Sequence, residues 1–329
     1  MNEQIIGIDL GGTRLRVARL DHDMNILDRR EILTRADQGL ETTLTRMKEL
    51  IRESLPTDPN TLISGIGISA PGPSNPNTGV IVAPPNLPGW HNVPIVQILQ
   101  KEFGFSTYLG NDANVAALAE IARGAARGYR HVIFMTISTG IGGGIVSDGR
   151  LLLGKDGLGA EVGHVQMVLE DGRVSTLEKE AAGPALARQA VMQIEAGAVS
   201  IMRDMVEGNL SRISGSVVGN AALQGDAVAR AIVERAGMLI GLGIVSLLHI
   251  FNPEIIVLGG GVSSIGDLLF NPMRAAIERH SIDRSYWDTL QIRQAELGEN
   301  VSVVGAAALV VTKGGMEDVA AVARKLDKD

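Results

Sequence analysis

Apolar residues follow two periods along this chain, and glycine pairs mark where one stretch gives way to the next. Residues 5–10 form an almost unbroken apolar run that stops at Gly11-Gly12, after which Leu15, Val17 and Leu20 alternate with Arg14, Arg16 and Arg19. That order predicts two strands joined by a tight turn, a β-hairpin. Leu44, Met47, Leu50 and Ile51 stand at helical spacing and predict a helix over 40–54, closed by Pro56. Residues 62–69 read as a buried strand running into Ala70-Pro71-Gly72-Pro73, where the prolines forbid further pairing. A short strand at 80–83, a proline-pinned loop at 84–90 and a helix at 95–103 with Pro94 in its first turn come next. A strand at 106–109 and an alanine-rich helix at 115–126 complete this stretch.

The opening pattern returns at 132–146, where two apolar runs flank the glycine turn Ser138-Thr139-Gly140-Ile141-Gly142. Read as an internal duplication, it gives two βββαβα-like halves facing each other across a cleft, each presenting a glycine hairpin to one ligand. The alternative is a chance likeness of two hairpins. Helices are expected from 183 to about 208 and over 225–251, and a strand at 254–258 runs into Gly259-Gly260-Gly261. Residues 306–312 and 316–326 read as closing helices.

With 329 residues, 45% of them apolar, the chain exceeds what one core organises, so two domains are expected. A net charge of −7 and the lack of a Lys/Arg tract argue against a nucleic-acid partner. There is no cysteine, which excludes disulfides and thiolate metal sites and fits a cytoplasmic protein. The N-terminus enters a strand without the basic and apolar regions of a signal peptide. Arg230, Glu234, Arg235 and His249 interrupt the most apolar long segment, 227–251, which therefore reads as a buried core helix with no membrane partner.

Asp9 falls at the tip of the first hairpin. The backbone N–H groups of Gly11 and Gly12, with the Thr13 hydroxyl, could bond a phosphate, and a carboxylate beside a phosphate calls for a cation such as Mg²⁺. The alternative is that the glycines only make the turn. Residues 149–156 nearly match a P-loop, but Asp156 stands where Ser or Thr must reach Mg²⁺. No G-x-G-x-x-G opens a helix after a strand, which disfavours a dinucleotide fold.

Taken in order, Asp9-Leu10-Gly11-Gly12-Thr13, Asn111-Asp112-Ala113-Asn114, Ser138 to Gly144, Glu161-Val162-Gly163-His164 and Leu258-Gly259-Gly260-Gly261 resemble the ROK family of sugar kinases across nearly the whole chain. The resemblance implies an α/β, actin-like ATPase (ribonuclease H-like) duplicated fold with two lobes around a central cleft. The small lobe would hold 1–112 and 305–329, the large lobe 113–304. It also implies ATP with Mg²⁺, and phosphorylation of a hexose or N-acetylhexosamine on its 6-hydroxyl.

Asp112 sits at a strand-to-helix junction, where position alone favours a helix cap; the resemblance makes it the general base. By the same likeness Gly72, Asn86, Asn111, Glu161, His164 and Glu178 contact the sugar, with Glu180 the competitor of Glu178. Gly11, Gly12, Thr13, Thr139, Gly140, Gly142, Gly259, Gly260 and Gly261 contact ATP, and Asp9 holds Mg²⁺ through water. Trp90 reads as packing beneath its loop, with stacking on a sugar as the alternative. Many family members place a cysteine-rich zinc loop after the motif's His; here 165–177 has no cysteine, so no structural zinc is expected. Asp171-Gly172 suggests a tight turn there that brings His164 and Glu178 together. Competing readings are a sugar-responsive regulator, disfavoured by the eight residues ahead of Asp9, and a non-catalytic sugar-binding protein. The family further suggests a homodimer or homotetramer.

Overall fold

The computed structural model describes residues 3–169 and 171–321. The first hairpin is β1 (Glu3–Leu10) and β2 (Arg14–Asp21), antiparallel, with Asp9 opposite Arg16. A strand the pattern did not signal, β3 (Ile26–Leu33), pairs with β2. It is an edge strand, and Asp28, Arg29, Arg30 and Glu31 at its centre hide any alternation. Then come α1 (Leu40–Ser54), β4 (Leu62–Ala70), the paired short strands β5 (Ser74–Asn75) and β6 (Val80–Ile81), and α2 (Ile95–Phe103). β7 (Thr107–Asn111) runs directly into α3 (Asp112–Arg123). That helix begins at Asp112 rather than residue 115 because Asn111 caps it, its Oδ1 accepting the Asn114 N–H at 2.7 Å.

The second hairpin is β8 (Val132–Ile137) and β9 (Ile141–Ser147), followed by β10 (Arg150–Leu151). The stretch expected to turn tightly at Asp171-Gly172 is a small antiparallel hairpin, β11 (Gln166–Val168) and β12 (Val174–Thr176). Next are α4 (Leu177–Ala181), α5 (Gly183–Glu195), α6 (Met202–Met205) and α7 (Gly215–Leu223). The helix expected over 183–208 is thus two, broken where Gly197 turns at φ 98°. α8 (Ala227–Phe251), β13 (Ile255–Gly259), α9 (Asp267–His280), β14 (Gln291–Gln294) and α10 (Val301–Val311) complete the chain. Of the helix expected over 316–326, the part from residue 322 lies outside the described residues.

The first sheet has the order β3-β2-β1-β4-β7 and the second β10-β9-β8-β13-β14. Each is a hairpin extended by a third strand on one side and by two later strands on the other, so the repeat seen in sequence is also a repeat of topology. By compactness the chain divides into one unit of 1–133, 144–160 and 295–329, and another of 134–143 and 161–294. In the first unit, one face of the sheet packs Ile6, Ile8 and Leu10 with Leu44, Met47 and Ile51 of α1 and Ile95 and Leu99 of α2. α10 covers the other face at close range. A Cβ built on Gly67 of β4 would stand 1.7 Å from the carbonyl oxygen of Ala306. Gly67→Ala is therefore expected to destabilise the first unit by about 1–3 kcal/mol, read as a lower denaturation midpoint.

In the second unit α8 packs along α9, α7, α5 and α4. Among the described residues it is the one helix long and apolar enough to cross a membrane, but 67% of its apolar window is buried inside the protein, as in a core helix. Asp226 caps it, accepting the Ala229 N–H at 2.8 Å.

Candidate active site

In the first unit, the C-terminal ends of β1, β4 and β7 bring together residues distant in sequence. The Gly11–Thr13 turn is closed by the Gly11 N–H donating to the Arg14 carbonyl at 2.9 Å. Thr34, which the sequence reading passed over, braces it: its hydroxyl donates to the Gly11 carbonyl at 2.6 Å and its N–H to the Thr13 carbonyl at 2.8 Å. Gly12 lies against the proline-braced loop, where a Cβ would meet the Asn86 carbonyl oxygen at 2.6 Å. Trp90 is fully buried beneath that loop, so it packs and has no face for stacking. Ala70 pairs with Asn111 across β4 and β7, and Gly72 follows two residues past that strand end.

Two carboxylates mark this end of the sheet. Asp9 is nearly buried and accepts from Arg16 Nη1 at 2.8 Å. Burial pushes its pKa up, and Arg16 only partly offsets the rise. Asp112 is the first residue of α3, not its cap, and is exposed, its Oδ1 accepting the Ala113 N–H at 2.9 Å. Its pKa too is raised, by desolvation first and also by the charge of Asp9. Although open to solvent on one side, Asp112 is flanked closely enough to be desolvated. The charge of Asp9 thus raises the proton affinity of Asp112, Arg16 offsets only part of the effect of burial on Asp9, and two carboxylates so placed offer oxygen ligands to a divalent cation.

In the second unit a comparable set gathers on the other glycine turn. Glu178 Oε2 accepts the Ile141 N–H at 2.9 Å. The segment Glu161–His164 lies against the same turn, since a Cβ on Gly163 would meet the Ile141 carbonyl oxygen at 2.0 Å. The Leu177 N–H donates to the Val165 carbonyl at 3.0 Å, so the residues next in sequence, Glu178 and His164, are drawn together by the short β11–β12 path. Glu161 and His164 are exposed, and the imidazole makes no hydrogen bond to the described residues. Glu180 is committed elsewhere, to Arg235 and Ser175.

A recess of about 460 Å³ opens on the same turn, lined by Ser138, Thr139, Gly183, Ser214, Gly215 and Gly261, with Pro184, Ala187, Ile213 and Val262 supplying apolar wall. The size is that of a small-molecule site, for which roughly 300–1,000 Å³ is usual. The N-termini of α5 and α7 both reach it. Gly183 and Gly215 let these ends meet: a Cβ on Gly215 would lie 2.7 Å from the Gly183 Cα. Of the third glycine cluster, Gly261 lines the recess, Gly259 is buried in β13, and Gly260, at φ 85°, turns the chain against the Ile137 carbonyl. Gly140 lies beside Glu178, and Gly142 is in β9. Sequence reasoning missed the 213–216 wall; the available signal was Ser214, a helix cap followed at once by glycine.

The ROK family model matches residues 5–313. A glucokinase of Thermotoga maritima is 34% identical over 317 residues, 95% of this chain and 98% of that protein. A xylose repressor of Caldicellulosiruptor bescii is 29% identical, the match covering 94% of this chain and 78% of the repressor. Among solved structures, a ROK family glucokinase from Streptomyces griseus in complex with glucose and AMPPNP matches with a TM-score of 0.73 and 29% identity, over 93% of this chain and 98% of that one. The architecture is accordingly the actin-like ATPase fold.

Proposed function

The chain belongs to the ROK family, and we propose that it is an ATP-dependent sugar kinase that moves the γ-phosphate of ATP to the 6-hydroxyl of a hexose, glucose first among the candidates. One observation carries the reading: Asp112, accessible and without a cationic partner among the described residues, stands beside Asp9 at the end of the glycine-turn sheet with its proton affinity raised. Transfer to an alcohol needs a base at the attacking hydroxyl, and Asp112 has the charge, exposure and raised pKa for it. As the oxygen bonds phosphorus and the bridging bond to ADP breaks, Asp112 takes the hydroxyl proton.

Asp9 is the residue that would hold Mg²⁺, which when bound neutralises charge on the phosphates. The Gly12 N–H and the Thr13 hydroxyl supply donors to those phosphates, while the Gly11 N–H, contrary to expectation, is spent on the Arg14 carbonyl and shapes the turn. Asn111 spends its side-chain oxygen on the cap of α3, leaving its amide N–H₂ for a sugar hydroxyl, with Asn86, Glu161, His164 and Glu178 as further sugar partners. The recess beside Thr139 takes the nucleoside. We place the enzyme in the cytoplasm as a homo-oligomer.

The test is a panel of hexoses and N-acetylhexosamines incubated with ATP and Mg²⁺, scored by sugar-dependent ADP release; release with none of them refutes the assignment. The nucleoside assignment has its own check. Gly261 lines the recess and a Cβ there meets nothing within 4 Å, so Gly261→Leu can start a side chain at that wall without a clash at its base. It is expected to raise the KM for ATP about tenfold or more while sugar KM and thermal midpoint stay unchanged, an effect of roughly 1.4 kcal/mol on nucleotide binding alone.

The repressor relative favours a second reading, a sugar-responsive regulator. Sugar binding detected by thermal shift, with no ADP formed, would select it.

A further inference from the structure

The helix that carries Glu178 is anchored by an ion pair between a buried carboxylate and a half-buried guanidinium, for which the phosphoryl-transfer chemistry has no use. Glu180 is 8% exposed. Its Oε2 accepts from Arg235 Nη2 of α8 at 2.9 Å, and its Oε1 accepts the Ser175 hydroxyl of β12 at 2.9 Å. Burial pushes the carboxyl up, but the hydrogen bonds from Arg235 and Ser175 outweigh it and hold the pKa below its ordinary value, so Glu180 is ionised in place.

α4 needs such an anchor. It spans only Leu177–Ala181, too short to persist by its own hydrogen bonds. Leu177 is seated where α8 has a glycine, since a Cβ on Gly243 would lie 2.7 Å from Leu177 Cδ2. Arg235 and Gly243 are two turns apart on α8, and α4 is held at both places. From α5, Gln189 Nε2 donates to the Glu180 carbonyl at 3.3 Å. Through Ser175, opposite Met167 in the small hairpin, the same carboxylate also ties down the segment that returns to His164.

We propose that Glu180 and Arg235 are positioning residues whose ion pair holds Glu178 against the Ile141 N–H, with His164 nearby, and thereby sets the affinity for the sugar. The consequence for sugar affinity rests on the kinase reading; the holding of Glu178 does not. Two measurements on the full-length chain separate them. Glu180→Gln keeps the volume and removes the charge, Arg235→Met keeps the stem, and Arg235→Lys keeps the charge without the fork.

In amide hydrogen exchange, Glu180→Gln and Arg235→Met are expected to speed exchange at Ile141 about tenfold or more, with α10 amides unchanged. Unaltered protection at Ile141 overturns the proposal whatever the activity. In steady-state kinetics the same variants raise the sugar KM about tenfold, leave the KM for ATP and kcat within about threefold, and Arg235→Lys recovers most of the loss. Both KM values rising together, or neither, also overturns it. Should the charge-removing variants not fold, Ser175→Ala leaves the pair intact and is expected to give about threefold changes in the same two readouts; none at Ile141 counts against the proposal. A wild-type chain that phosphorylates no sugar refutes the kinase reading, and the exchange at Ile141 still decides whether the pair holds Glu178.

Discussion

Asp112→Asn is expected to lower kcat by about 10² to 10⁴ while leaving the sugar KM nearly unchanged, because it removes a proton acceptor used only as the new O–P bond forms. The substitution is mild structurally: the amide oxygen can still accept the Ala113 N–H that Asp112 accepts at 2.9 Å. Turnover that survives intact would remove Asp112 from proton transfer. The pH dependence gives a second handle. Asp112 works ionised, so kcat falls as pH drops through its pKa, and desolvation with the Asp9 charge places that limb above the ordinary aspartate value of about 3.9.

The same raised pKa has a consequence for stability, and its sign is fixed. A carboxyl with a higher pKa in the folded state binds its proton more tightly there, so its contribution is fully present below the unfolded pKa and is lost as pH rises through the folded one. At neutral pH the ionised Asp112 therefore works against folding. Asp112→Asn should raise the thermal midpoint near pH 8, with the gain vanishing toward pH 4. A variant that loses both turnover and thermal stability at pH 8 has a folding defect, and its loss of activity says nothing about the base.

Much of this was legible in the sequence because burial writes itself in apolar periods. α1 and α2 fall where the helical spacing put them, and the two glycine hairpins stand out because each opens with a nearly continuously buried strand, β1 or β8, that runs into glycines. β3 was invisible for the opposite reason: its charged side chains face solvent, and Arg16 and Glu31 pair across it in a way no spacing displays. Asp112 shows the limit of position as a guide. A carboxylate at a strand-to-helix junction reads as a cap, yet the cap is Asn111, and only coordinates show which of two adjacent side chains turns back onto the helix. Glu178 and Glu180 pose the same difficulty. Two positions apart on one short helix, one reaches the Ile141 N–H and the other the Arg235 guanidinium, a division that depends on where α8 lies and not on the local sequence. The wall at 213–216 was missed because Ser214, Gly215 and Ser216 are small and Ile213 stands alone beside them, and a lone apolar residue among small ones announces neither a core nor a charge.

Glu120→Ala is expected to be the most destabilising single substitution in the first unit, on the order of 5 kcal/mol, without touching substrate. Glu120 is fully buried in α3, the helix that begins with Asp112. Its carboxylate accepts the Ala125 N–H at 2.8 Å, the Glu296 N–H at 3.1 Å and the Leu297 N–H at 3.2 Å. Those donors close the turn after α3 and fix the segment leading into α10, which packs along both α3 and the sheet. Alanine would take away the carboxylate that three N–H groups donate to, each lost bond costing about 1–3 kcal/mol, and would leave a cavity where the side chain stood. Glu120→Gln keeps one acceptor oxygen but turns an N–H₂ toward the donors, so its cost should fall between wild type and alanine. Thermal unfolding followed by circular dichroism checks the series: the alanine variant should melt roughly 10 °C or more below wild type. Shifts under about 2 °C would mean that water replaces the carboxylate and that the 295–297 segment is held by other contacts.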